Sequence, residues 1–320
     1  MLVKAIFLSI ASGIASALLS GVLTPGSMLS AFLFFIAPLP LMIVGLGWHA
    51  LIAALGALVG CLLMDVLISS KAALYFGLLV GLPAYLASVL VPRLPALAET
   101  GEAVSTGRRL GGLLFGALGG YAVVVTLIGA MTIDTSYDAL QTKLATTVEM
   151  LFRAMTEGAP GRTTPPGFDV AAMSKLYAFI MPGMLTFLVT VMLVLSLWLA
   201  MRIVARSGRL PVPPFPGYLI ALPRQALAVI LVALIVSRLD GYLGLAASLV
   251  LTAATVAAML AGLSLLHFRT LGRRDRGFLL WGGWIAVLVF GLPAFLFAIA
   301  GALDAAFDFR RPPGGPAQPT

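Results

Sequence analysis

The chain has 320 residues, of which 61% are hydrophobic and only 10% charged, and its net charge is +8. A soluble domain carries about 25% charged residues, so this composition cannot make a water-exposed surface. The basic excess sits at the ends of apolar runs. It therefore reads as topology signals and contacts for anionic lipid, not as nucleic-acid recognition.

Nine apolar runs follow in order, at 5–23, 28–47, 50–68, 72–92, 110–131, 175–200, 219–237, 243–266 and 278–301. A helix of about 20 residues crosses the hydrocarbon of a bilayer. Within that layer only helices and closed barrels satisfy their own backbone. The fold expected is an all-α, polytopic membrane bundle of about nine transmembrane helices, in a bacterial inner membrane. Residues 1–205 form a six-span unit, 206–303 add three spans, and 304–320 are expected to be a disordered tail.

The first run follows Lys4 and is longer than the 7–15-residue core of a signal peptide, so it reads as a span. Small residues recur on it at Ser9, Gly13, Ala17 and Gly21. Similar pairs or triplets are Gly56/Gly60, Gly77/Gly81 and Gly112/Gly116/Gly120. Such faces let helices approach closely.

The second run contains Ala37-Pro38-Leu39-Pro40, then Gly45 and Gly47, and is the best candidate for a broken helix. Further prolines inside spans are Pro83, Pro182 and Pro293. The third run holds the only cysteine, Cys61, and the only charge well inside a span, Asp65. Intramembrane carboxylates face a cavity or a partner. Lys71 and Tyr75 lie near enough in sequence to pair with it.

Between the fifth and sixth runs, Tyr137, Leu140, Leu144, Val148, Leu151 and Met155 recur at helical spacing. They predict an amphipathic helix over 137–157, lying on the membrane surface or capping the bundle. Gly81-Leu82-Pro83-Ala84-Tyr85-Leu86 and Gly291-Leu292-Pro293-Ala294-Phe295-Leu296 match, but the match is short enough to arise by chance. Asp304 and Asp308 share a helix face, and Arg311 is placed to pair with Asp308.

Orientation follows the basic residues. With the N-terminus cytoplasmic, twelve of the twenty Lys and Arg residues face the cytoplasm, densest around Arg202–Arg224 and Arg269–Arg276. Nine spans put the C-terminus outside, and eight would return it to the cytoplasm. No phosphate-binding glycine loop, HExxH or GxSxG motif occurs. The two histidines, His49 and His267, are isolated at helix ends. Neither a cofactor nor a metal site is expected, and the chain does not read as an enzyme.

The segment Ala37-Pro38-Leu39-Pro40-Leu41, with the closely spaced runs around it, resembles the YybS-like family of predicted bacterial membrane proteins. So does the ending Gly301-Ala302-Leu303-Asp304-Ala305-Ala306-Phe307-Asp308-Phe309-Arg310, with its aspartate–arginine signature. That resemblance implies a multi-pass inner-membrane protein and supplies no substrate or catalytic residue. The first six spans are also similar in number and orientation to the substrate-binding subunits of energy-coupling-factor vitamin transporters. The expected role is small-molecule binding related to transport, with Asp65 as polar anchor, Lys71 and Tyr75 beside it, and Pro38 and Pro40 shaping the wall. The alternative is an assembly protein that recruits membrane partners through helix faces and basic cytoplasmic loops.

Overall fold

A computed structural model describes residues 2–21, 28–93, 103–157, 169–210 and 217–310. These residues form helices and turns, with no strand among them. The helices are α1 (Leu2–Gly21), α2 (Met28–Phe35), α3 (Leu39–Gly47), α4 (Ala50–Leu67), α5 (Ser70–Phe76), α6 (Leu82–Leu90), α7 (Ala103–Ile133), α8 (Tyr137–Glu157), α9 (Val170–Arg206), α10 (Gln225–Val236), α11 (Gly241–Arg269), α12 (Arg276–Phe290) and α13 (Leu292–Phe307). A π-helical turn, Gly77–Gly81, fuses α5 to α6.

Six of these units are long and apolar enough to cross a bilayer: α1, α4, the α5–α6 unit, α7, α9 and α11. A seventh is reached only if α12 and α13 count as one span, and they are bent by 117°. The expected second and seventh spans appear as shorter pieces, at Phe32–Gly47 and Gln225–Val236.

Close backbone approach sets the packing. Helices α1 and α4 run parallel, with Ser9 Oγ donating to Ile52 O at 3.2 Å and Gly21 lying opposite Ile68. A Cβ on Gly13 would sit 2.3 Å from the Gly56 carbonyl oxygen. The small-residue face of α1 is thus spent on internal packing. The stripe on α7 divides: Gly112 abuts Pro223, whereas a Cβ on Gly116 or Gly120 would meet nothing within 4 Å among the described residues. The tight face of α7 is Gly107 and Gly111, against the carbonyls of Leu219 and Ala221.

The prolines act differently according to what surrounds them. Ile36–Pro38 form a turn that separates α2 from α3. Pro40 has no N–H to give, and Leu39 N–H donates to Ile36 O at 3.0 Å. The carbonyl of Phe35 instead accepts the Ser196 hydroxyl at 3.1 Å, a partner supplied by α9. Pro83 sits just past the π turn, where Leu82 N–H reaches back to Gly77 O and the chain stays helical. Pro182 is buried within α9 and does not interrupt it.

Gly291-Leu292-Pro293 ends a helix, unlike its counterpart at Gly81. Gly291 has φ +65°, with open space around it, while Gly81 keeps α geometry and packs on Ala57. The straight span expected at 278–301 is therefore two helices.

Helix α8 forms where expected, and it packs along α9. Thr186 Oγ1 bonds Thr126 Oγ1 at 3.0 Å, so α7 and α9 are antiparallel. By that register Ile133 lies level with about residue 179 at 1.5 Å per residue, and the first turns of α9 project past α7 to carry α8. Leu140 and Val148 are buried. Leu151 is 60% exposed, and the contact one residue on, Phe152 edge-on to Tyr177, closes the hairpin. At the α7–α8 joint, Lys143 pairs with Asp134 at 2.8 Å. The Lys143 ammonium, through that hydrogen bond, holds the half-buried Asp134 carboxyl below the usual carboxylate range.

Candidate functional site

One groove opens at the end of the bundle where α1 and α4 finish. Its volume is about 390 Å³, and its lining includes Ser20, Gly21, Phe34, Met64, Ile68, Tyr75, Phe76 and Val80. The walls are apolar because all four contributing segments are lipid-adapted helices. Ser20, whose hydroxyl donates to Ser16 O at 2.9 Å, and Tyr75 are the polar groups at hand. Tyr75 is 55% exposed.

The sequence-predicted site residues separate around this groove. Tyr75 lines it. Asp65 follows Met64 on α4, is exposed, and is not among the lining residues. Lys71 is also exposed, and no ion pair joins it to Asp65 among the described residues. Pro38 is buried in the α2–α3 turn, and Pro40 begins α3 half-buried, both away from the groove lining. Among the described residues no three His, Cys, Asp or Glu side chains are grouped to hold a metal.

The densest chemistry lies at the opposite end. There α7 and the α12–α13 pair begin, and α9, α11 and α13 finish. Asp304 and Arg310 have fully buried side chains and pair at 2.8 Å, Nε to Oδ2. The other Arg310 nitrogens donate to Tyr218 O, to Ser264 Oγ at 3.2 Å and to Ala261 O at 3.2 Å. Ser264 in turn donates to Gly217 O at 2.8 Å. Arg108 bonds Asp308 Oδ1 at 2.8 Å, Asp304 O at 2.9 Å and Ala305 O at 3.3 Å. Asp304 O also accepts the Asp308 N–H at 3.0 Å, so Arg108 adds a second, charged donor at the end of α13. Asp308 itself turns left-handed, with φ 55°, and caps α13. Burial lowers the proton affinity of Arg310, and the Asp304 charge opposes that effect.

This network corrects two expectations and leaves a third outside the described residues. Asp304 to Arg310, assigned to a disordered tail, are the last turn of α13 and its buried cap. Asp308 pairs with Arg108, and Arg311, the partner expected from the sequence, lies outside the described residues. The chain also ends its described course beside Arg108, not at the opposite face of the bundle. The sequence reading found the aspartate pair and missed Arg108, Tyr218 and Ser264. Their only local signal was the aspartate–arginine ending; the partners come from over 40 residues away.

No curated protein and no solved structure matches the chain. The profile of a family described as predicted membrane proteins, DUF2232, matches residues 13–305, from α1 to the last turn of α13. Polytopic apolar helices and a match over nearly the whole chain agree: this protein belongs to the DUF2232 family of predicted membrane proteins.

Proposed function

We propose that this is a non-catalytic bacterial inner-membrane protein that binds an amphipathic small molecule, in a role related to transport. The observation that carries this reading is the 390 Å³ groove, with its apolar walls and with Ser20 and Tyr75 as polar contacts. A ligand with an apolar body and one small polar group fits that chemistry. A π turn at Gly77–Gly81 forms one wall, and such turns recur at functional sites. The N-terminus is cytoplasmic in this reading, because Lys4, Arg93, Arg206, Arg209 and Arg269–Arg276 share one end. The groove then opens outward.

The test is a thermal-shift screen of the purified full chain with amphipathic alcohols and amides. Ala72→Phe fills the groove and abolishes every saturable shift. Tyr75→Phe weakens binding about fivefold by removing one hydrogen bond of roughly 1 kcal/mol. Asp65→Asn, which does not line the groove, leaves it unchanged. Shifts that survive Ala72→Phe would reject the site. The assembly-protein reading draws on the exposed arginines of the cytoplasmic end, and it predicts one stoichiometric crosslinked partner and no saturable shift.

A further inference from the structure

The π turn at Gly77–Gly81 supplies Leu79 and Val80 to the groove wall, and it also sets the rotation of α5. A Cβ on Gly60 of α4 would run into the Phe76 ring. One on Gly77 would sit 3.3 Å from Cys61 Sγ, and one on Gly81 2.9 Å from Ala57 Cβ. Phe76, Gly77 and Gly81 therefore all face α4. In an unbroken α-helix Phe76 and Gly81 would stand about 140° apart. The wider π turn brings both onto one face, and so presents Tyr75 and Phe76 to the groove.

Pro83 makes this turn depend on one side chain from another helix. An α register would pair Leu82 N–H with Leu78 O and leave Leu79 O facing the N–H that Pro83 lacks. The π register gives Leu82 N–H to Gly77 O, and the next donor, for Leu78 O, is again the one missing at Pro83. Either register leaves a carbonyl short of its main-chain donor, which is costly within a bilayer. The Tyr121 hydroxyl of α7 donates to Leu78 O, the carbonyl that the π register frees. Helix α7 is tied to α9 by the bond between Thr126 and Thr186, so this donor stands on a fixed post.

We propose that Tyr121 is the positioning residue of the groove: its hydroxyl selects the π register, and that register holds Tyr75 and Phe76 in the wall. This rests on the groove being the binding site proposed above, and it makes binding there conditional on the π register. Without the bond the turn relaxes by one residue to α geometry, and α5 rotates by about 100°. Tyr75 then leaves the groove, and Gly77 leaves Cys61. A ligand in contact with Tyr75 binds the π register alone and shifts the population toward it.

Cys61, the only cysteine, reports the register without any ligand. The experiment times its reaction with N-ethylmaleimide in the detergent-purified full chain, with and without octanol. Tyr121→Phe removes one oxygen atom, leaves the ring packed and speeds labelling about fivefold, the worth of one hydrogen bond. Ser196→Ala removes a hydroxyl donor of the same kind, the one that serves Phe35 O, and leaves the rate unchanged. Octanol slows labelling of the wild-type chain, and Tyr121→Phe needs about five times more of it for half the effect. Faster labelling in Tyr121→Phe with no response to octanol in either chain supports the latch and counts against the binding reading alone. Equal rates in wild type and Tyr121→Phe, or an equal rise in Ser196→Ala, would overturn the proposal, even where Tyr121→Phe lowers the melting temperature.

Discussion

Arg310→Met destabilises the folded bundle by about 3–5 kcal/mol, the cost of leaving a buried charge without its partner. Asp304 is fully buried, and its ion-pair partner is Arg310. One Asp304 oxygen, Oδ1, already lacks a hydrogen bond, so the carboxylate has no reserve of donors to turn to. The loss also strips the Tyr218 and Ala261 carbonyls of a charged donor. Asp304→Leu combined with Arg310→Met removes both charges and recovers more than half of the loss, because apolar residues can replace a buried pair at little cost. Equilibrium unfolding of the four variants, read as a double-mutant cycle, measures the coupling. Additive effects of the two substitutions would show that the pair is not coupled. The exposed pair Arg273–Asp275 supplies the contrast. It bonds at 3.0 Å, yet breaking it leaves the unfolding midpoint essentially unchanged, since water screens it.

Gly301→Leu and Gly262→Leu are the next most damaging changes. At Gly301 a Cβ would sit 2.0 Å from Ala258 O, and at Gly262 1.9 Å from Phe297 O. Both obstacles are helix backbone, which cannot swing aside like a side chain. Helices α11 and α13 must separate, at a cost of about 1–3 kcal/mol or more for each site. The two sites face each other, since Gly262 N is itself 2.8 Å from the Cβ position of Gly301. The double variant therefore costs less than the sum, because one separation accommodates both. Gly116→Ala and Gly120→Ala point the other way. Among the described residues nothing stands within 4 Å of a Cβ at either, so removing glycine from a helix interior gains about 0.5–1 kcal/mol. Melting temperatures of the four single variants in one detergent check the ordering. A neutral Gly301→Leu would mean that α13 does not rest on α11.

Much of the architecture was legible because bilayer physics writes it locally. Run length gave the six long spans, helical periodicity gave α8, and the Pro38/Pro40 pair gave the α2–α3 break. Other features depend on neighbours remote in sequence. Gly81-Leu82-Pro83 and Gly291-Leu292-Pro293 are the same tripeptide, and Ala57 packed against one, with open space at the other, decides between a continuous helix and a sharp bend. Among the described residues the glycine stripe of α7 packs only at Gly112, and its closest contacts are made by Gly107 and Gly111, since spacing alone does not say where Leu219 and Ala221 pass. Of the candidate site residues, Tyr75 lines the groove, while the exposure of Asp65 depends on how α4 is rotated in the bundle. The partners of Asp304 and Asp308 needed folding to bring α7 and α11 to the end of α13.

That convergence is also what sets the course of the chain through the membrane. Between Ala221, whose N–H donates to Gly107 O, and Tyr242, whose hydroxyl donates to Asp134 O, α10 links opposite ends of α7. The α12–α13 pair then leaves from the Arg269 end and returns to it at Arg310. Both termini of the described chain then lie at the arginine-rich end, and an even number of crossings is the expected result. The direct measurement is sidedness of labelling in intact cells, in a Cys61→Ser background, with single cysteines placed by Ser207→Cys, Gly272→Cys, Phe309→Cys and Ser136→Cys. Positions 207, 272 and 309 should be shielded from an impermeant maleimide and position 136 open to it. Labelling of position 309 together with 136, and apart from 207 and 272, would contradict the returning hairpin and the arrangement built on it.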